Sequence, residues 1–168
     1  MEEIPALLRS LGTTSLLDIP CGDFNWPSPA ELGVEYIGAD DVREQVRPNE
    51  QGYGRPYRRS LHLELTSSDL PEASVVLCRD CLVQCGFGKV ARALDRIRAS
   101  SADYHLPTRL PLTLENADIT DGDRLARSFT LPPSNLPPPN RSIVENCTGD
   151  GEAYSDKPLA LWNVALLA

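Results

Sequence analysis

Ser15-Leu16-Leu17-Asp18-Ile19-Pro20-Cys21-Gly22-Asp23-Phe24-Asn25-Trp26 is the stretch on which the reading of this chain turns. Ser15 to Ile19 make a short apolar run that Asp18 interrupts one residue from its end, the pattern of a buried strand. Pro20 has no N–H to give to a sheet ladder, so regular pairing stops there. Gly22 lets the backbone turn sharply and, having no Cβ, lets a ligand come close. In an open parallel α/β sheet, ligands bind just beyond the carboxyl ends of the strands, and a strand running into a glycine turn is such an end. The same residues also make an ordinary strand-end turn.

Outward from that turn, Ile4, Leu7, Leu8 and Leu11 fall at helical spacing, and Gly12 ends the helix. After it, Pro27 and Pro29 reduce a first crossover helix to a turn or so. Val34 to Ala39 form a second strand candidate that ends in Asp40-Asp41. An acidic residue at the end of the second strand, about 20 residues past the glycine turn, is where Rossmann-like folds hold a ribose. A carboxylate accepts two hydrogen bonds from a vicinal diol, and such charge-assisted bonds are strong. The pair also precedes Val42 to Val46, where it suits a helix cap; one Asp can cap while the other binds.

Residues Pro48 to Tyr57 read as loop. Ser60 to Leu65 alternate as a third strand (Leu61, Leu63, Leu65), and Ala73 to Cys78 form a continuous apolar run, as a central parallel strand does. Phe87, Val90, Ala91, Leu94 and Ile97 make one stripe of a helix. Ala102 to Thr108 is a poor fifth strand because of His105 and Pro107, and His105 reads as a core or strand-end residue rather than a ligand. Leu131 to Pro139 is proline-rich, extended and stiff.

The 168 residues suit one domain, residues 1–168, with a single core. A net charge of −8 disfavours nonspecific nucleic-acid binding. No apolar run approaches a membrane span, and acidic Met1-Glu2-Glu3 does not resemble a leader, so a cytoplasmic protein without a membrane partner is expected. Five cysteines, an odd set, fit reduced thiols. Cys78-Arg79-Asp80-Cys81, with Cys85 close behind, has metal-ligand spacing, but a zinc site needs four ligands and only distant Cys147 or a histidine remains. They read as thiols at a strand end, with no metal expected.

Leu17-Asp18-Ile19-Pro20-Cys21-Gly22-Asp23 resembles the first motif of class I S-adenosylmethionine-dependent methyltransferases, and Phe24-Asn25-Trp26 is similar to a bacterial-type branch whose acceptors are mostly unassigned. Leu77-Cys78-Arg79-Asp80-Cys81-Leu82-Val83 resembles the fourth-strand motif of the same branch. That pattern usually continues with a His, and here Gln84 stands in its place; an amide does not titrate, so it cannot replace a proton acceptor. Asn116 to Asp123 resembles a segment near the cofactor mouth. The proline-rich stretch, Ser142 to Cys147 and Asp156 to Trp162 also fit, the last two as sixth and seventh strands joined by a turn at Thr148 to Ser155.

The resemblance runs from about Ile4 to Leu166. It implies a Rossmann-like α/β fold: a seven-stranded, mostly parallel sheet with an antiparallel C-terminal hairpin and helices on both faces. It implies S-adenosylmethionine as cofactor, with Asp18, Cys21, Gly22 and Asp23 near the methionine part, Asp40 on the ribose, and Glu64 and Leu65 at the adenine. Arg79, Asp80 and Cys81 would line the junction with the acceptor, Asp80 as the catalytic candidate. Methyl transfer from a sulfonium is an in-line displacement in which the protein mainly binds, aligns and excludes water. The acceptor, a small molecule or another group, and the oligomeric state are open. The alternative is a non-catalytic binding or scaffold protein that keeps the fold. A nicotinamide oxidoreductase is disfavoured, because the turn lacks Gly-x-Gly-x-x-Gly.

Overall fold

Strand by strand, neighbouring side chains go to opposite faces, and the apolar ones divide between two cores. In β1 (Ser15–Asp18), Leu16 faces one core and Leu17 the other. In β4 (Val75–Cys78), Val75 and Leu77 join Leu16, while Val76 and Cys78 join Leu17. These strands are buried on both faces, which is why they read as continuous apolar runs.

The chain is described by a computed structural model over residues 3–24, 32–109, 113–123, 125–144 and 158–167. The other strands are β2 (Glu35–Asp40), β3 (Arg58–His62), β5 (Tyr104–Pro107), β6 (Arg141–Val144) and β7 (Pro158–Asn163), in the sheet order β3-β2-β1-β4-β5-β7-β6. Strands β1 to β5 pair in parallel, and β7 runs antiparallel to both β5 and β6. This is the Rossmann-like, seven-stranded, mostly parallel sheet expected, closed by an antiparallel pair at the C-terminal side. After β1 the chain adds β2 and β3 on one side and β4 onward on the other. The strand order therefore reverses between β1 and β4, which is where such sheets open a crevice.

Helix α1 (Glu3–Leu11) covers one face with Ile4, Leu7 and Leu8. Helix α3 (Phe87–Ala99) covers the other with Val90, Ala93, Leu94 and Ile97, spaced as one apolar stripe. Among the described residues, no helix is long and apolar enough to cross a membrane. The first crossover with Asn25 and Trp26, Cys147, and the Thr148 to Ser155 turn lie outside the described residues.

Two expectations are corrected. Residues Pro48 to Tyr57 are not all loop: α2 (Arg43–Tyr53) runs through Pro48. Proline removes one helix hydrogen bond, but α2 is anchored elsewhere. The buried Asn49 amide donates to the Gly22 carbonyl at 2.8 Å, and the Ser60 N–H donates to the Glu50 carboxylate at 2.6 Å. Second, β3 ends at His62, so Leu63 and Leu65 reach the core from a turn beyond the strand rather than from the strand itself.

The fifth strand expected at Ala102 to Thr108 does form, over Tyr104–Pro107, in the interior of the sheet despite its poor local sequence. Pro107 is tolerated because its pairing with β7 is interrupted around it: Tyr104 and His105 pair with Asn163 and Trp162, and contact resumes as a single bridge from Thr108 to Leu159. His105 is a core residue with no exposed surface.

Burial pushes the His105 ring down to about 4, against a long 3.4 Å contact of Nδ1 with the Val76 carbonyl. The unfolded chain takes up this proton below about 6.5, where the folded protein does not. The contribution to stability is therefore whole above about 6.5 and falls as pH drops toward about 4. Urea unfolding of His105→Leu beside wild type between pH 7 and pH 4 should show the variant losing less stability on acidification, by on the order of 3 kcal/mol. Equal losses in both proteins would remove His105 as the source.

Candidate functional site

The glycine turn after β1 is held from β2 and α2. The Ile19 N–H bonds to Leu77 of β4, and the Cys21 N–H bonds to Ala39 of β2, each at 2.9 Å, so the chain crosses from one neighbour strand to the other as it leaves β1. Gly22 adopts a φ of 58°, open to glycine without strain. Its N–H donates to Asp40 Oδ2 at 3.0 Å, and its carbonyl accepts from Asn49. The other Asp40 oxygen accepts the Val42 N–H at 2.9 Å, at the entry to α2. Asp40 is buried and spends both oxygens on backbone.

Beneath the turn β2 passes closely. A Cβ on Gly38 would lie 3.2 Å from both Cys21 Sγ and the Phe24 ring, so the turn packs down only because position 38 has no side chain. Asp18 is fully buried and accepts the Tyr36 hydroxyl at 2.6 Å. Burial, with Asp18 and Asp40 nearby, pushes the Cys21 thiol up to about 12. Asp18, Cys21 and Asp40 thus form an inner layer behind the turn, while Asp23 is exposed on it.

A cleft of about 470 Å³ opens at the carboxyl ends of the central strands. Ile19 and Pro20 line it from just beyond β1, Asp41 from just beyond β2, and Leu63, Glu64, Leu65 and Thr66 from the turn after β3. Asp80, Cys81, Leu82, Gln84 and Cys85 line it from beyond β4, Lys89 from α3, and Asp121 and Gly122 from a later loop. Glu64 Oε1 accepts the Thr66 N–H at 3.1 Å and its hydroxyl at 2.9 Å. Burial works to raise the Glu64 carboxyl, but these bonds and nearby Lys89 outweigh it and hold it below the ordinary range.

Beyond β4, Asp80 has a φ of 51°, a left-handed conformation that Asp tolerates better than most residues. Such positions are kept only where the surroundings fix them. Here the Asp80 N–H donates to the Thr108 hydroxyl at 2.8 Å, and its carbonyl accepts the Gln84 amide at 2.7 Å. Gln84, which stands where a His was expected, therefore braces the backbone of Asp80. The loop at Asn116 to Asp123 is tied to the cleft. Asp121 accepts the Gly86 N–H at 2.8 Å, Asp118 accepts the Phe87 N–H at 2.7 Å, and the Gly122 N–H donates to the Gln84 carbonyl at 3.0 Å. The two carboxylates satisfy donors that the start of α3 leaves unpaired.

Of the residues expected from the sequence, the cleft brings together Glu64, Leu65, Asp80 and Cys81. Asp18, Cys21, Gly22, Asp23, Asp40 and Arg79 stand outside its lining. Asp41, Thr66, Gln84, Cys85, Lys89 and Asp121 line it without having been singled out as ligands. The Asp40-Asp41 pair was the signal for one of them, although the resemblance placed Asp40, not Asp41, on the ribose. Among the described residues, no group of three or more His, Cys, Asp or Glu is placed to hold a metal ion. Two wider openings, of about 820 Å³ along α2 and about 840 Å³ at the amino ends of β1 and β2, lie away from the β1 turn.

No family model matches the chain, and no curated protein is similar to it in sequence. Solved structures match its fold. The 1,6-didemethyltoxoflavin-N1-methyltransferase of Burkholderia thailandensis, solved with bound 1,6-didemethyltoxoflavin and S-adenosylhomocysteine, is 19% identical over 95% of this chain and 75% of its own, with a TM-score of 0.65. Mitomycin 7-O-methyltransferase is 18% identical over 90% of this chain and 49% of its own, with a TM-score of 0.66. The magnesium protoporphyrin IX methyltransferase of Synechocystis PCC 6803, solved with bound S-adenosylhomocysteine, is 18% identical over 67% of this chain and 55% of its own, with a TM-score of 0.54. The chain thus spans about half the length of the last two. The fold is that of class I methyltransferases.

The two aspartates should separate by experiment. Asp40→Ala leaves two backbone N–H groups without acceptors and is expected to cost about 2–4 kcal/mol in chemical unfolding. Asp41→Ala, at an exposed side chain, should stay within about 0.5 kcal/mol of wild type. Equal effects would contradict the division of roles between them.

Proposed function

We propose that the cleft binds S-adenosylmethionine and that the protein transfers its methyl group to an acceptor, with a small molecule the favoured class. The observation that carries this reading is the position of the cleft: it lies at the strand-order reversal of a class I methyltransferase sheet, with four carboxylates (Asp41, Glu64, Asp80 and Asp121) and three leucines on its wall. Its volume of about 470 Å³ falls within the ~300–1,000 Å³ range of small-molecule sites. The donor set suits the ligand. A carboxylate takes a ribose diol, leucines take a purine face, and acidic groups favour a cationic sulfonium.

The cofactor supplies a methyl already activated by the positive sulfur. In this reading Asp41 takes the ribose hydroxyls, in place of Asp40, to which the resemblance assigned them. Glu64 and Leu65 receive the adenine, the carboxylate toward its amino group and the leucine against its ring. Asp18, Cys21, Gly22 and Asp40 act as positioning residues that fix the β1 turn. Asp23 and Arg79 carry charges that suit the ammonium and carboxylate of the methionine end. Asp80 and Cys81 stand at the junction with the acceptor, and Asp80 is the group available to take a proton from it. Leu82 and Leu63 exclude water, which strengthens the polar contacts around them.

A second reading, a binding protein that keeps the cofactor without turnover, is favoured by one observation: the Gln84 amide does not titrate and is bonded to the Asp80 carbonyl. Titration calorimetry with S-adenosylhomocysteine should give a Kd of about micromolar, weakened about tenfold or more, about 1.4 kcal/mol, by Asp41→Ala. No binding by the intact protein would end both readings. Binding without methyl release from labelled S-adenosylmethionine, across a panel of hydroxyl, amine and carboxylate acceptors, would favour the second.

A further inference from the structure

The cleft wall holds a pair of thiols, Cys81 and Cys85, to whose sulfurs the methyl-transfer reading assigns no chemical step. Cys81 and Cys85 bracket the single turn of Leu82–Gln84, and both line the cleft. The turn folds them together. The Gln84 N–H bonds to the Cys81 carbonyl at 2.9 Å, and the Cys85 sulfur lies 3.5 Å from the same oxygen. The two thiols are close enough to act on each other's ionisation.

Positive charge is gathered on Cys85. Lys89 stands one helical turn further on and lines the same cleft. Arg127 is 1% exposed, donates from Nη2 to the Cys85 carbonyl at 2.8 Å, and lies over the Phe87 ring at 4.9 Å. Its Nη1 is buried without a hydrogen-bond partner. A guanidinium does not lose its proton in proteins, so a buried one needs negative charge nearby; Asp118 supplies part of it, and a Cys85 thiolate would supply more.

The groups that face Cys85 are Cys81 on the turn, Cys78 in β4, Lys89 in α3, Asp121 on the later loop and Arg127 behind it. The neighbouring Cys81 thiol draws the Cys85 thiol below its ordinary value against the effect of burial, with Lys89 and Arg127 in support and Asp121 opposing. Cys81 moves the other way, raised by the neighbouring Cys85 and by burial. Fully buried Cys78, raised by burial with Asp18 nearby, is the unreactive contrast.

We propose that Cys81 and Cys85 form a redox-active dithiol in the cleft wall, with Cys85 the attacking thiolate and Cys81 the resolving thiol, that reacts with low-molecular-weight disulfides. The Cys85 thiolate attacks one sulfur of a small disulfide R–S–S–R, forming a mixed disulfide and releasing RS⁻. Cys81 then gives its proton to solvent or to that thiolate, and its sulfur attacks the Cys85 sulfur. The Cys81–Cys85 bond forms and the second RS⁻ leaves. Two protein thiols are oxidised and one small disulfide is reduced to two thiols. The bond ties the two ends of the turn that carries Leu82 and Gln84 into the cleft.

The test treats the whole folded protein with bis(2-hydroxyethyl) disulfide and maps thiols by mass spectrometry. Trypsin cuts after Arg79 and Lys89, so one peptide, Asp80 to Lys89, carries both cysteines and no others. Wild type should lose two hydrogens on that peptide while Cys78 stays reduced. Cys81→Ser should instead accumulate a mixed disulfide on Cys85. Cys85→Ser, checked for folding by circular dichroism, should leave Cys81 at least tenfold slower to react. Lys89→Gln should slow wild-type oxidation severalfold near neutral pH. A peptide that stays reduced, or a Cys81→Ser protein whose Cys85 reacts no faster than Cys78, would overturn the proposal. None of these readouts needs the cofactor, so they stand or fall apart from the methyltransferase reading.

Discussion

The Asp40 carboxylate is the contact on which the functional end of the sheet depends. One oxygen holds the Gly22 N–H and the other the Val42 N–H, so a single side chain fixes both the turn leaving β1 and the entry to α2. Both bonds are charge-assisted and made with little exposure to water, which strengthens them. With Asp40 committed inward, the next residue is carried to the opposite side, and Asp41 comes out on the cleft. Asn49 closes the arrangement from α2 by bonding the Gly22 carbonyl, and this anchor is part of why α2 survives a proline at position 48.

The inward turn of Asp40 bears on chemistry. A glycine turn whose N–H and carbonyl are both bonded within the protein presents shape and closeness to a ligand rather than free backbone donors. Specific polar contacts must then come from the outer ring, where Asp41, Glu64 and Asp80 stand on three different strand ends. Each is fixed by its own local device: the Asp40 anchor for Asp41, the Thr66 bonds for Glu64, and the Thr108 and Gln84 braces for Asp80. A site assembled this way is rigid without a ligand, which lowers the ordering cost of binding.

Much of this was legible in the sequence, for reasons that differ by residue. The apolar runs of β1, β2 and β4 and the stripe of α3 appear because burial on one or two faces imposes its period directly on the chain. Glu64, Leu65, Asp80 and Cys81 were implied by the resemblance, and the fold brings the four together in the lining of one cleft. What escaped was set by tertiary contact. The choice between Asp40 and Asp41 rests on which neighbour strand the turn crosses. Lys89 and Asp121 reach the cleft through the packing of α3 and a distant loop. The helix through Pro48 and the central place of β5 contradict local propensity; α2 holds because Asn49 and Glu50 anchor it to the β1 turn and to β3, and β5 because its pairing with β7 leaves a gap where Pro107 falls.

The most direct measurement is a crystal structure of the protein with S-adenosylhomocysteine. The expected result is an adenosine between Asp41 and the Leu63 to Thr66 turn, its ribose hydroxyls on the Asp41 carboxylate, with Asp40 still bonded to the Gly22 and Val42 N–H groups. A ligand whose ribose has drawn Asp40 out of its backbone bonds, or one seated in another opening, would contradict it.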